Sequence, residues 1–304
     1  MSPCRSKTNC LHVCVLTVLI FLCGVASSPA TASDIPFSFS TGNPDGLIAT
    51  LSRVASPGKL ETETADDFVT QSLTTINSAT FIGLLPLGTP LSAVTQVEIE
   101  LYHVFPIEST NPPDGKVLAR ANSPSDNNFD ARDSAVPGQL SFTTTLLNQS
   151  FTAQNSVVNG IHALPNQFTG GEGPVTGEEV QFNITFTTPF VIGGADHIFF
   201  RPEVGVTNGD FLWLSAPKPI VAPGTPFGAD LQTWMRTDGA GALAPDWERV
   251  GTDVTHQGPF NASFSLTGTT APEPNSLILL GSALIGFGLI RRRQKSRSTA
   301  RQVS

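Results

Sequence analysis

Between Ser33 and Ala271, a stretch of 239 residues, no segment repeats apolar residues at the 3.6-residue period of a substantial helix. Where a pattern exists its period is two. The clearest case is Thr95 to Phe105, where Val97, Ile99, Leu101 and Phe105 fall on one side of a strand. Glu98 and Glu100 fall on the other, which predicts one face on a core and one toward water. Phe182, Ile184 and Phe186 repeat the alternation, as do Ile198 and Phe200 leading to Val204. Further strands are predicted at Leu47 to Val54, Ala79 to Leu85, Leu140 to Leu146, Val180 to Phe186, His197 to Val206, Phe211 to Leu214 and Ala262 to Leu266. Loops rich in Pro, Gly, Asn and Asp separate them, at 109–115, 123–138, 166–177 and 216–228. The expected fold is all-β: an antiparallel β-sandwich of jelly-roll or related type, forming one domain over 33–271.

The two ends are of a different kind. Arg5 and Lys7 precede an apolar run from Leu11 to Val25, and Ala30-Thr31-Ala32 supplies the small residues of a peptidase site. Residues 1–32 therefore read as a secretory signal peptide cut after Ala32, with Ala30 and Ala32 as its recognition residues. All four cysteines (Cys4, Cys10, Cys14, Cys23) lie inside that segment. Disulfides, thiolate metal sites and cysteine nucleophiles are thereby excluded from the mature body. Without the two ends, the body carries 9 Lys and Arg against 24 Asp and Glu, a formal charge of −15. A body so acidic repels phosphate backbones, which excludes nucleic acid as a partner.

At the other end, Pro272-Glu273-Pro274 is followed by the uncharged segment Ser276 to Ile290 and then by Arg291-Arg292-Arg293. In lipid the segment must be helical, since its backbone has no other partners. As a helix it spans about 22 Å against a hydrocarbon core of about 30 Å. Arginine stems snorkelling toward the headgroups would cover the difference, and their charge holds that end on the cytoplasmic side. Such a run could instead be a buried core helix, but it is apolar on every face and nothing after it could cover it.

These residues resemble the PEP C-terminal sorting signal of exosortase substrates. The resemblance implies that residues 272–304 are a sorting signal, with Pro272, Glu273 and Pro274 recognised by an exosortase in the inner membrane of a Gram-negative bacterium. It implies 276–290 as a transient transmembrane helix, Arg291, Arg292 and Arg293 as its stop, Sec machinery as an earlier partner, and the cell surface or extracellular space as the destination. It also implies association with exopolysaccharide, because exosortase systems accompany polysaccharide production. A second, shorter likeness lies at Thr64-Ala65-Asp66-Asp67-Phe68-Val69, which is similar to a pattern in exported bacterial β-sandwich modules that often bear the same signal.

Chemistry in the body is sparsely marked. His103, His162, His197 and His256 are not at metal-ligand spacing, and His103 falls on the apolar register of its strand, which predicts a partly buried ring. No nucleophile elbow, zinc-binding helix or phosphate loop occurs. Adjacent carboxylates at Asp66-Asp67 and Glu178-Glu179 could serve glycoside chemistry but carry no further signature. The segment 126–133, with Asp126, Asp130 and Asp133, concentrates oxygen ligands that calcium could use, although it lacks the spacing of an EF-hand and reads equally as a turn-rich loop. No other cofactor is expected. Trp213, Trp234 and Trp247 are candidates for stacking on sugars if exposed, and for core packing if not. The function expected is that of a non-catalytic exported surface or matrix protein. Its alternatives are a carbohydrate-binding module acting through tryptophan faces and a secreted glycoside-active enzyme acting through paired carboxylates.

Overall fold

The computed structural model describes residues 34–105, 122–125, 127–158, 169–194, 196–217, 232–237 and 247–271, together with Phe287. The signal peptide with Ala30 and Ala32, the sorting tripeptide, the basic stop and Asp126 lie outside the described residues, as does the span 276–290 apart from Phe287. Among the described residues, no helix is long and apolar enough to cross a membrane.

The body is built from strands: β1 (Ile35–Ser40), β2 (Ile48–Leu51), β3 (Thr62–Thr70), β4 (Thr74–Leu85), β5 (Val94–His103), β6 (Asp130–Asp133), β7 (Leu140–Ala153) and β8 (Asn155–Val157). They continue with β9 (Val175–Ile192), β10 (Asp196–Val206), β11 (Leu212–Ala216), β12 (Trp234–Thr237), β13 (Glu248–Arg249), β14 (Asn261–Ala262) and β15 (Phe264–Thr270). A larger sheet runs β1-β15-β4-β11-β2-β8, with β9 against β4, β7 against β9 and β14 against β11. A smaller one runs β13-β12-β3-β10-β5-β6. The pairs are antiparallel except β2 with β8. The fold class is thus all-β, as the period-two pattern predicts.

One core lies between the sheets. From the smaller sheet come Phe68, Val97, Ile99, Leu101, Ile198, Phe200 and Val204; from the larger, Phe81, Phe182, Ile184, Trp213 and Phe264. Phe200 stacks on Phe264 across the gap at 5.1 Å, and Phe81 on Phe182 within the larger sheet at 4.7 Å. Each such ring contributes about 1.5–3 kcal/mol by leaving water. Gly83 lets β4 and β11 pair closely within the larger sheet: a Cβ there would lie 2.2 Å from the Phe211 ring and 2.3 Å from the Leu212 carbonyl.

The strands expected in the sequence are present, but several are longer. β9 runs through Pro189 because its register with β4 shifts between Ile76 and Ser78, leaving 186–189 out of the ladder, where a missing N–H costs nothing. The segment expected as a loop over 123–138 contains β6, which pairs Glu98 with Asp133 and Leu101 with Asp130. Two further expectations are corrected. His103 sits at the end of β5, where its side chain is 51% exposed rather than partly buried, and it stacks on Phe129 at 4.1 Å. The face of β5 that bears Glu98 and Glu100 does not meet open water: Glu100 and Tyr102 are buried on it.

Candidate functional site

In β10 the even residues Ile198, Phe200 and Val204 enter the core, so His197, Phe199, Arg201 and Glu203 project from the opposite face, yet all four are buried. Register brings Arg201 opposite Glu100 and Glu203 opposite Glu98 on β5, while β12 places Arg236 opposite Glu63 on β3. An aromatic layer of Ala65, Tyr102, Val104, Phe199, Trp234 and Trp247 packs on the same face.

Arg201 is the centre. Its Nη2 donates to Glu100 at 2.5 Å and to Glu61 at 3.3 Å and lies 2.7 Å from a Glu63 oxygen, while Nη1 lies 2.5 Å from Glu203. Arg236 pairs with the same Glu63 and lies over the Trp247 ring at 4.6 Å. The Tyr102 hydroxyl, with one proton to give, sits against Glu100 and 2.9 Å from Glu63. Both oxygens of Glu203 are buried without a hydrogen bond, although the Arg201 charge is adjacent.

Five carboxylates (Glu61, Glu63, Glu98, Glu100, Glu203) thus face two guanidiniums, and burial pushes two of the five toward their protonated form. Burial pushes Glu98 up to about 7, with Arg201 opposing and Glu100 and Asp133 adding to the rise. Burial also pushes Glu203 well above the usual carboxylate range against the pull of Arg201. Burial alone would lower Arg201, but Glu203, Tyr102 and Glu100 outweigh it and keep the guanidinium charged. Tyr102 is raised by burial and holds its proton.

Glu61, Glu63 and Glu203 bring carboxylate oxygens within 4.8 Å of one another, a spacing that a cation with oxygen ligands could use. Arg201 already reaches those three side chains, so the cluster is closed by an internal cation. A separate hollow of about 330 Å³ opens where β2 and β10 end, lined by Arg53, Lys59, Gln96 and Asp210 among others. Its cations converge on Asp210, at 3.2 Å from Arg53 and 2.8 Å from Lys59.

The residues singled out in the sequence fall elsewhere. Trp213, Trp234 and Trp247 are all buried, at 0%, 2% and 1% exposure, so none presents the open ring face that stacking on a sugar requires. Trp213 donates its Nε1–H to the Ser263 carbonyl at 2.8 Å, and Trp247 donates to Ser125 at 3.2 Å. Asp130 pairs with Arg132 along a strand, and Asp133 accepts from the Gln96 amide at 2.9 Å. Both carboxylates are therefore occupied by protein groups, and an odd separation within β6 directs them to opposite faces. Asp66 and Asp67 likewise diverge. Asp66 points between the sheets and accepts the Ala262 N–H of β14 at 2.6 Å, whereas Asp67 meets His197 at 2.6 Å on the outer face.

The cluster itself was missed by the sequence reading, which placed Glu98 and Glu100 in water. The signal was available in the run His197 to Glu203, where an arginine and a glutamate two residues apart share one face of an otherwise apolar strand. Isolated charges in such a setting have to be paired.

The geometry defines a class no narrower than an all-β protein whose buried acids are tied to its own arginines. Residues 270–293 narrow it, because they match the PEP-CTERM protein-sorting motif. The chain therefore carries a PEP-CTERM sorting motif, and that motif implies recognition by an exosortase and export to the cell surface or beyond. Neither a curated protein nor a solved structure matches the chain.

Proposed function

We propose that this chain is a non-catalytic component of the cell surface or extracellular matrix, associated with exopolysaccharide. In this reading residues 1–32 direct it through the Sec machinery, and 276–290 holds it in the inner membrane of a Gram-negative host until exosortase acts near Pro272-Glu273-Pro274. The observation that carries the proposal is the sorting motif over 270–293. The body supports it by the way its acids are used. Glycoside chemistry needs two carboxylates that a substrate can reach, and Glu63 and Glu203, at 2% and 0% exposure, are committed to arginine. A sugar-binding module acting through the tryptophans is disfavoured by their burial.

Mass spectrometry of the C-terminal peptide, taken from the protein in its own host with envelope and medium compared, tests the sorting step. A chain ending near Pro274 outside the inner membrane is the expected result. An intact Ser304 in the membrane fraction would overturn it. Co-sedimentation of the released protein with the host's isolated polysaccharide, without shortening of the polymer, tests the rest.

A further inference from the structure

Sheets in soluble proteins protect their open edges by keeping edge strands short or by placing charge or proline on them. Most outer strands here follow that practice. β8 has three residues and β13 two. β6 is Asp-Ala-Arg-Asp, and β1 carries Pro36 at its second position. β7 does not. Its fourteen residues, LSFTTTLLNQSFTA, contain no charge, no proline and no glycine, and among the described residues its one strand partner is β9. At about 3.3 Å per residue they make an edge about 45 Å long. Ser141, Thr143 and Thr145 are exposed, as are Leu146 and Leu147 at 38% and 47%.

The register shifts that interrupt β7 begin only after Leu146, so Leu140 to Leu146 form an unbroken ladder with β9. Within it Leu140, Phe142, Thr144 and Leu146 stand opposite Phe186, Ile184, Phe182 and Val180, all core residues, and so share the core side of the sheet. Ser141, Thr143 and Thr145 share the other side.

We propose that this edge is a self-association surface, which takes β7 of a second copy as an antiparallel strand about a two-fold axis at Thr143. The sequence suits its own copy. Such an axis sets Leu140 against Leu146 and Phe142 against Thr144 on the core side, which extends the apolar layer across the junction and covers the exposed leucine. On the other side it sets Ser141 against Thr145 and Thr143 against itself, hydroxyl to hydroxyl, pairs that favour strand association. In a body of formal charge −15, this is a long strip where two copies meet without opposing like charges. Because the contact is isologous, assembly closes at a dimer rather than continuing as a fibre.

Sedimentation velocity of the full-length chain in a nonionic detergent, over a wide concentration series, tests the proposal. The wild type should pass from monomer to dimer. Thr143→Lys, which places two ammonium groups against each other at the axis, should weaken the dimer by about tenfold or more. A monomer throughout overturns the proposal, as does a dimer that Thr143→Lys leaves unchanged. Should the variant fold poorly, hydrogen exchange of the wild type decides: amides in 140–146 should slow as concentration rises, and rates independent of concentration overturn the proposal.

Discussion

Asp66 shows what a single buried carboxylate does in this fold. It stands on the smaller sheet, points into the gap and holds the Ala262 N–H of the larger sheet at 2.6 Å, with 0% exposure. A buried hydrogen bond contributes about 0.5–1.5 kcal/mol net, and the abandoned N–H, left buried, costs about 1–3 kcal/mol more. Asp66→Ala is therefore expected to destabilise the body by about 2–4 kcal/mol, read as a lower midpoint in urea with an unchanged slope. The neighbouring Asp67 faces outward to His197. Its replacement should leave the clasp between the sheets intact. The motif Thr64 to Val69 was visible in the sequence as a pattern, but its content was not. Two adjacent acids on a strand lie on opposite faces, and what each one meets is fixed by strands nearly two hundred and one hundred and thirty residues away.

At the scale of elements, β10 decides the architecture because both its faces are covered. One face carries Ile198, Phe200 and Val204 into the core, and the other carries Arg201 into a ring of four carboxylates. Removing a cation from such a setting leaves buried charge without a partner, at a cost of about 3–5 kcal/mol. Arg201→Met, close in size and apolar, should accordingly lower Tm by on the order of 10 °C, part of which returns at acid pH as the carboxylates take up protons. Differential scanning calorimetry at two pH values checks both parts. The strands were legible because side-chain direction in a strand is local: the alternation in Thr95 to Phe105 correctly assigned Val97, Ile99 and Leu101 to the core. Burial of the opposite face was not legible. It depends on which distant segments cover the strand, and no local period records that. The same gap accounts for the tryptophans, whose exposure could not be read from Leu212-Trp213-Leu214, and for Asp130 and Asp133, which look like a ligand cluster until β6 separates them.

For the whole molecule, the surplus of acid over base has a consequence for stability that depends on pH. The Glu98 carboxyl titrates near 7 in the folded protein against an ordinary value of 4.5, chiefly through burial, and Glu203 is raised in the same direction. A group with a raised folded value binds its proton more tightly in the native state than in the unfolded chain. Its contribution is complete below about 4.5 and is lost as the pH rises through 7. The fold should therefore be more stable at pH 5 than at pH 8, the reverse of what acids held ionised by ion pairs would give. Repulsion within a body of formal charge −15 has the same sign, so the slope alone does not identify its source. Glu98→Gln separates the two, since it removes one titration from the cluster and changes the net charge of the body by a single unit. Urea midpoints measured from pH 5 to pH 8 should fall less steeply in this variant than in the wild type, with the curves differing most around pH 7. Added salt should flatten the part due to general repulsion in both proteins and leave the difference between them largely in place, because a partly buried cluster is screened less than surface charge. Parallel curves for the two proteins would mean that the proton taken up on folding is held elsewhere in the molecule.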